Sequence, residues 1–176
     1  MSTIVLGVCG SIAAYKAADI ASRLVKLGHE VHSVCTPTAL RFVTPLTLMT
    51  LSRHPVVSSW DDETEDWVPA HIALAQRADA LVIAPASAHS IACFAQGLAP
   101  NVLTSLYLAN RAPTLIFPAM NANMWAHPAT QQNISTLTER GDRVYAPECG
   151  MLACGAEGQG RLLPVDTILQ HIADVL

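Results

Sequence analysis

A doubly wound parallel sheet of the α/β class is predicted by three features of this sequence. Short apolar runs alternate with stretches of helical spacing along the whole chain. The run over residues 80–85 is apolar throughout, as a central strand covered on both faces requires. Gly, Ser, Thr or Pro stands where several of these runs give way to helical patterns. A chain of 176 residues carries this arrangement as one domain, residues 1–176, with a sizeable core.

Taken in order, Thr3–Val8 is β-prone and leads through Cys9, Gly10 and Ser11 into a helical pattern over residues 12–27 that Gly28 ends. Gly10 allows close backbone approach, and Ser11 suits either a helix N-cap or a phosphate ligand. The Gly-x-Gly-x-x-Gly fingerprint is absent here, which argues against an NAD-type turn. Residues 30–35 read as the second strand. Thr36 and Thr38 then open another helix, as caps or phosphate ligands, and Phe42, Val43, Thr44 and Pro45 follow. The acidic stretch 61–66 reads as a solvated loop.

A further helix begins at Pro69-Ala70-His71, where the positive end of the helix dipole favours a neutral imidazole. After the 80–85 strand, Pro85-Ala86-Ser87-Ala88-His89-Ser90 turns into a helix that Gly97 breaks, and another helical segment covers 102–110. Thr114-Leu115-Ile116-Phe117 is a buried strand, and Pro118 is expected to stop its pairing. Met120, Asn121, Asn123 and Met124 thus fall at a strand's carboxyl end, where open α/β sheets bind ligands, and an Asn amide both donates and accepts. The same residues also suit a proline-led turn with Met and Trp125 as core. Residues 130–139 read as a helix, 143–146 as the last short strand and 165–176 as a helix packed on the sheet. Between them, the glycines of 147–161 predict a flap ordered by binding, or a linker.

Charged residues make up 14% of the chain, against roughly 25% in an average soluble protein. So little charge favours a homo-oligomer with apolar contacts. The net charge of −4 and the lack of a Lys/Arg-rich run give no nucleic-acid footprint. No apolar run is long enough for a membrane helix, and the start of the chain reads as a strand, so a cytoplasmic setting is expected. Cys9, Cys35, Cys93, Cys149 and Cys154 form an odd set, which argues against a disulfide framework. The first three lie in core patterns. The Cys149-x4-Cys154 spacing, without a neighbouring His or second Cys pair, matches no common zinc pattern, so no metal is expected.

Several of these stretches resemble the flavin-dependent cysteine decarboxylases, the family of phosphopantothenoylcysteine decarboxylases and lantibiotic peptidyl-cysteine decarboxylases. They are Gly10-Ser11-Ile12-Ala13-Ala14-Tyr15-Lys16, His71-Ile72-Ala73-Leu74, Pro85-Ala86-Ser87-Ala88, Pro118-Ala119-Met120-Asn121-Ala122-Asn123-Met124-Trp125 and Ala153-Cys154-Gly155-Ala156-Glu157-Gly158-Gln159-Gly160-Arg161. They occur in the family's order. One departure is His89-Ser90, where the family usually has Asn-Thr.

The resemblance implies a flavodoxin-like, Rossmann-like three-layer sandwich with the first strand flanked on both sides. It implies FMN held by Gly10, Ser11, Ile12, Ser87, Ala88 and Met120, with Thr36, Thr38, Phe42 and Thr44 as further contacts. Substrate contacts fall on Asn121, Asn123, Met124, Ala153 and Arg161. An amino-acid carboxylate does not readily leave as CO2 because the remaining electron pair has nowhere to go. A thiocarbonyl one carbon away accepts it, and FMN creates that sink by oxidising the substrate thiol to a thioaldehyde. The family implies that His71 assists the oxidation, that Asn121 orients the substrate carboxylate or amide, and that reduced FMN with the Cys154 thiol saturates the resulting enethiol. The net reaction turns 4′-phosphopantothenoylcysteine into 4′-phosphopantetheine in coenzyme A biosynthesis. Cys154 favours this substrate over a peptidyl cysteine, whose decarboxylation stops at the enethiol. A pterin-reducing relative and a non-catalytic regulatory flavoprotein are the other readings. Trimers, or dodecamers built from them, and a phosphopantothenate–cysteine ligase domain or protein are the implied partners.

Overall fold

The computed structural model describes residues 1–62, 68–151, 153, 155 and 157–176. Five parallel strands, β1 (Thr3–Val8), β2 (Glu30–Cys35), β3 (Ala80–Ala86), β4 (Thr114–Pro118) and β5 (Arg143–Val144), form one sheet in the order β2-β1-β3-β4-β5. β1 is flanked on both sides, as predicted. The chain moves from β1 outward to β2 and then returns to the far side of β1 as β3. That reversal opens a crevice at the carboxyl ends of β1 and β3, the switch point where such sheets bind ligands.

The helices are α1 (Lys16–Lys26), α2 (Pro45–Ser52), α3 (Ala70–Arg77), α4 (Ala88–Gln96), α5 (Val102–Ala109), α6 (Ala122–Ala126), α7 (Pro128–Glu139) and α8 (Val165–Ala173). Alternate strand residues feed two cores. Ile4, Leu6, Val8 and Phe117 join Ile20 and Leu24 of α1 and Ile168 and Ile172 of α8 on one face. Val5, Leu81, Ile83 and Ile116 join Phe94 of α4 and Leu103 and Leu106 of α5 on the other. Gly7 is a packing requirement, because a Cβ there would lie 2.6 Å from Ile83 Cδ1 and 2.8 Å from Leu103 Cδ1. Cys9, Cys35 and Cys93 are buried free thiols, as expected, and Cys149 is exposed.

Four local expectations are corrected. The helix predicted from residue 12 starts as a 3₁₀ turn over Ile12–Tyr15 before α1 begins. Thr36 and Thr38 open only a 3₁₀ turn, Ala39–Arg41, and the α-helix restarts at Pro45, because proline disfavours the helical conformation in Thr44, which instead caps α2. Pro118 does not end pairing: it sits opposite Ala86 in β4, since the next bond is donated by Ala119 N to Ala86 O at 3.0 Å and needs no N–H from the proline. The Gly-rich segment is an antiparallel hairpin of β6 (Glu148–Met151) and β7 (Glu157–Arg161). Of the acidic stretch, Asp62 Oδ2 accepts the Ser59 N–H at 2.7 Å, while residues 63–66 lie outside the described ones.

Candidate active site

A cavity of about 480 Å³ opens at the carboxyl ends of β1, β3 and β4. Three strand-to-helix turns and the hairpin build it. The first turn contributes Gly10, Ser11 and Ile12, with Ser11 Oγ accepting from Ala13 N at 3.3 Å as the cap of the 3₁₀ turn. The second contributes Ser87 and Ala88, and Ser87 Oγ caps α4 by accepting from Ser90 N at 3.2 Å. The third contributes Ala119, Met120 and Asn121, with Asn121 Oδ1 accepting from Asn123 N at 2.9 Å to start α6. Leading N–H groups of a helix have no partner within it, so two serine-capped turns meeting here favour an anion.

The hairpin closes the remaining side with Met151, Ala153, Gly160 and Arg161. It is fixed by Met120 N donating to Gly160 O at 2.9 Å, and the approach is so close that a Cβ on Gly160 would lie 2.1 Å from Met120 O. Gly10 is equally constrained, since its Cβ would lie 2.4 Å from Thr38 Cγ2. Thr38 therefore supports the first turn from behind.

Gly10, Ser11, Ile12, Ser87, Ala88, Met120, Asn121, Met124, Ala153 and Arg161 are brought together at one cavity. Thr36, Thr38, Phe42, Thr44 and Asn123 are not among its lining residues. Thr36 Oγ1 accepts from Ala39 N at 3.3 Å, and Thr44 Oγ1 accepts from Thr47 N at 3.3 Å, so both hydroxyls serve local turns. Phe42 is exposed, and Asn123 contributes its N–H to the Asn121 cap. Cys154 lies outside the described residues.

His71 stands in the first turn of α3, edge-on to Trp60 with ring centroids 5.3 Å apart, and does not line the cavity of its own chain. Burial lowers its pKa, so the imidazole is neutral near pH 7 as expected, although desolvation is the cause found. Tyr15 and Lys16 also line the cavity, a role that capping and periodicity did not reveal. Burial lowers the pKa of Lys16, and the Arg161 cation adds to this, with Glu148 acting in the opposite sense. Two cations thus face the same space.

The donor set fits the FMN implied by the sequence. Ser11, Ser87 and their turns suit a phosphate, while Ile12, Met120, Met124 and Met151 give a flat ring an apolar wall. Asn121 remains at the β4 end as the polar group to orient a second ligand.

Over residues 1–176 the chain matches the protein family described as Flavoprotein. It is 46% identical over 175 residues to a probable phosphopantothenoylcysteine decarboxylase of Streptococcus mutans, covering 98% of each chain. It is also 46% identical over 160 residues to the coenzyme A biosynthesis bifunctional protein CoaBC of Vibrio vulnificus, covering 91% of this chain and 40% of that protein. Among solved structures, a cysteine-to-serine mutant of PPC decarboxylase complexed with pantothenoylaminoethenethiol superposes with a TM-score of 0.87 at 30% identity, over 98% of this chain and 96% of the other. The FMN-dependent cysteine decarboxylase SpaF gives 0.82 at 32% identity, over 98% of both chains.

Proposed function

Because this chain belongs to the flavoprotein family, we propose that it converts 4′-phosphopantothenoylcysteine to 4′-phosphopantetheine with FMN, in coenzyme A biosynthesis. The observation that carries the reading is the cavity itself. Two serine-capped turns, an apolar wall and Asn121 converge there, in a chain matched over almost its full length by a relative named for this decarboxylation.

Bound FMN supplies the two-electron oxidation of the substrate thiol and the later return of those electrons. The protein's own residues then bind, orient and move protons. Ser11 and Ser87, with the amides that follow them, hold the cofactor phosphate. Met120, Met124 and Met151 keep water from the reacting carbons, which strengthens each polar contact inside. Asn121 sets the substrate carboxylate so that, once the adjacent carbon is a thiocarbonyl, the breaking C–C bond can pass its electron pair towards sulfur and CO2 departs. His71 takes a proton from the substrate during oxidation, for which its neutral state is required. Cys154 returns a proton to the enethiol carbon. A cysteine-to-serine PPC decarboxylase holds pantothenoylaminoethenethiol, an unsaturated thiol of the kind this last step would consume.

The proposal includes a homotrimer or homododecamer in the cytosol. His71 does not line its own chain's cavity, and at the cavity's rim Ile12 is 61% exposed and Tyr15 62% exposed. A subunit contact over that rim is how a neighbouring His71 reaches the substrate beside Asn121. A ligase domain or protein that makes the cysteine conjugate is the further partner, in line with the bifunctional relative. No helix among the described residues is long and apolar enough to cross a membrane.

Mass analysis of the products from 4′-phosphopantothenoylcysteine and from a peptide ending in cysteine tests the reading. Loss of CO2 with saturation of the first substrate supports it. Turnover of the peptide alone would transfer the chain to SpaF-like chemistry, and turnover of neither would refute decarboxylation.

A further inference from the structure

Away from the cavity, three potential metal-ligating atoms converge on the edge strand β2. Glu30 and His32 are two residues apart and so project from the same face. His54 joins them from the turn after α2. That turn is held in place by two bonds that extend the sheet edge, Val57 N to Ser33 O at 3.0 Å and Cys35 N to Val57 O at 2.8 Å. His32 Nε2 lies 2.9 Å and His54 Nε2 3.5 Å from Glu30 Oε1, and all three ligand atoms lie within 4.8 Å of one another. Zinc with bonds of about 2.0–2.2 Å to nitrogen and oxygen needs ligand atoms roughly 3.3 Å apart in tetrahedral geometry, so little movement would be required.

The tautomer of His54 points the same way. Its Nδ1 lies 3.0 Å from Ser52 O, a carbonyl that can only accept, so Nδ1 carries the proton. In the neutral ring, Nε2 then directs a lone pair at the Glu30 carboxylate oxygen. Such a pair is repulsive unless a positive charge, either a metal ion or the proton of an imidazolium, lies between the two atoms. A ring N–H committed to a backbone carbonyl is also the usual outer support of a metal-bound histidine. Two further groups contact the Glu30 carboxylate: the Arg77 cation, whose Nη2 donates to Oε1 at 2.8 Å, and the neutral Thr3 hydroxyl, which donates to Oε2 at 3.2 Å.

We propose that Glu30, His32 and His54 form a site for a divalent ion of the zinc class, with a fourth position open to water. The bound ion staples the 52–57 turn to the edge of the sheet. Two imidazoles and one carboxylate favour such an ion over magnesium or calcium, which prefer all-oxygen ligands. Cysteine spacing could not find this site, since its ligands come from positions 30, 32 and 54. Arg77 opposes the ion, both by its charge and by sharing Oε1.

The test is a cobalt(II) titration of the chelator-treated, FMN-containing full chain, followed by the ligand-field absorption of four-coordinate cobalt and by displacement with zinc. One ion per chain is expected. His54→Ala and Glu30→Gln should each weaken binding at least about tenfold, with flavin content unchanged as the check on folding. Arg77→Gln should tighten binding, because it removes the competing cation. The proposal is overturned if the wild type takes up no more cobalt than the His32→Ala/His54→Ala double variant. It is equally overturned if Arg77→Gln weakens uptake, since the cluster would then be an ion-pair network alone.

Discussion

Replacing Gly160 by alanine should detach the hairpin wall from the cavity. The added Cβ would stand 2.1 Å from Met120 O, 3.2 Å from Met120 C and 3.4 Å from Ala122 N. All three are backbone atoms, so no side chain can rotate away, and the first distance is more than an ångström short of ordinary contact. Relief requires β7 to move off Met120. That breaks the 2.9 Å bond from Met120 N to Gly160 O, a loss of about 1 kcal/mol, and overpacking strain of about 1–3 kcal/mol comes with it. The expected total is about 2–4 kcal/mol, limited by the cost of releasing the hairpin alone. Urea unfolding of the FMN-loaded protein should show this loss, and steady-state kinetics should show a raised KM, because Ala153 and Arg161 move with the strand. Gly150→Ala is the control: its Cβ meets Arg161 no closer than 3.6 Å, and a change within about 0.5 kcal/mol is expected. Wild-type stability and KM in Gly160→Ala would refute the argument that this backbone approach shapes the site.

His71→Asn should retain bound FMN and lose turnover, and the wild-type kcat/KM should fall on the acid side with an inflection below the ordinary histidine value of 6.5. The sign follows from a base whose pKa is lowered: activity is full above that pKa and is lost as protons return. An inflection above 6.5 would contradict it. Mixing inactive His71→Asn and Asn121→Ala chains under conditions of subunit exchange should restore part of the activity, whereas a site complete within one chain predicts none. Cys154→Ser should release a decarboxylated product two mass units lighter than 4′-phosphopantetheine, as expected for an enethiol that keeps its double bond; normal product would remove the cysteine from the mechanism. Tyr107→Phe deletes the 2.5 Å bond to Asp142 Oδ2, at about 1.5–3 kcal/mol for a charged acceptor. Burial already raises the Asp142 pKa while Tyr107 lowers it, so the deficit should shrink as pH falls and the carboxyl protonates; a pH-independent deficit would argue against that pairing.

Strands β1, β3 and β4 were legible because their apolar runs are short, bounded and almost wholly buried, and the turns after β1 and β3 because Ser11 and Ser87 are caps by residue type. Asn121 was legible as the first polar residue past a strand. The hairpin was not, because Gly150, Gly158 and Gly160 carry no β-propensity, and the need for Gly158 and Gly160 arises from their close approach to Ala122 and Met120, far away in sequence. Thr44 and Phe42 were cofactor contacts implied by the resemblance alone, and in the fold the Thr44 hydroxyl caps the helix that begins at Pro45. Lys16 was hidden for a simpler reason. At the start of an amphipathic helix a lysine reads as solvated, and only the folded turn shows it facing Arg161 across the cavity.

The central claim is that the crevice between β1 and β3 holds FMN, and fluorescence titration of FMN into the flavin-stripped protein tests it most directly. The wild type should saturate at one flavin per chain, and Ala88→Trp, which fills the cavity beside Ser87, should abolish binding while leaving the circular-dichroism spectrum of the fold intact. Failure of the wild type to bind FMN, or undiminished binding by the folded Ala88→Trp protein, would contradict the account.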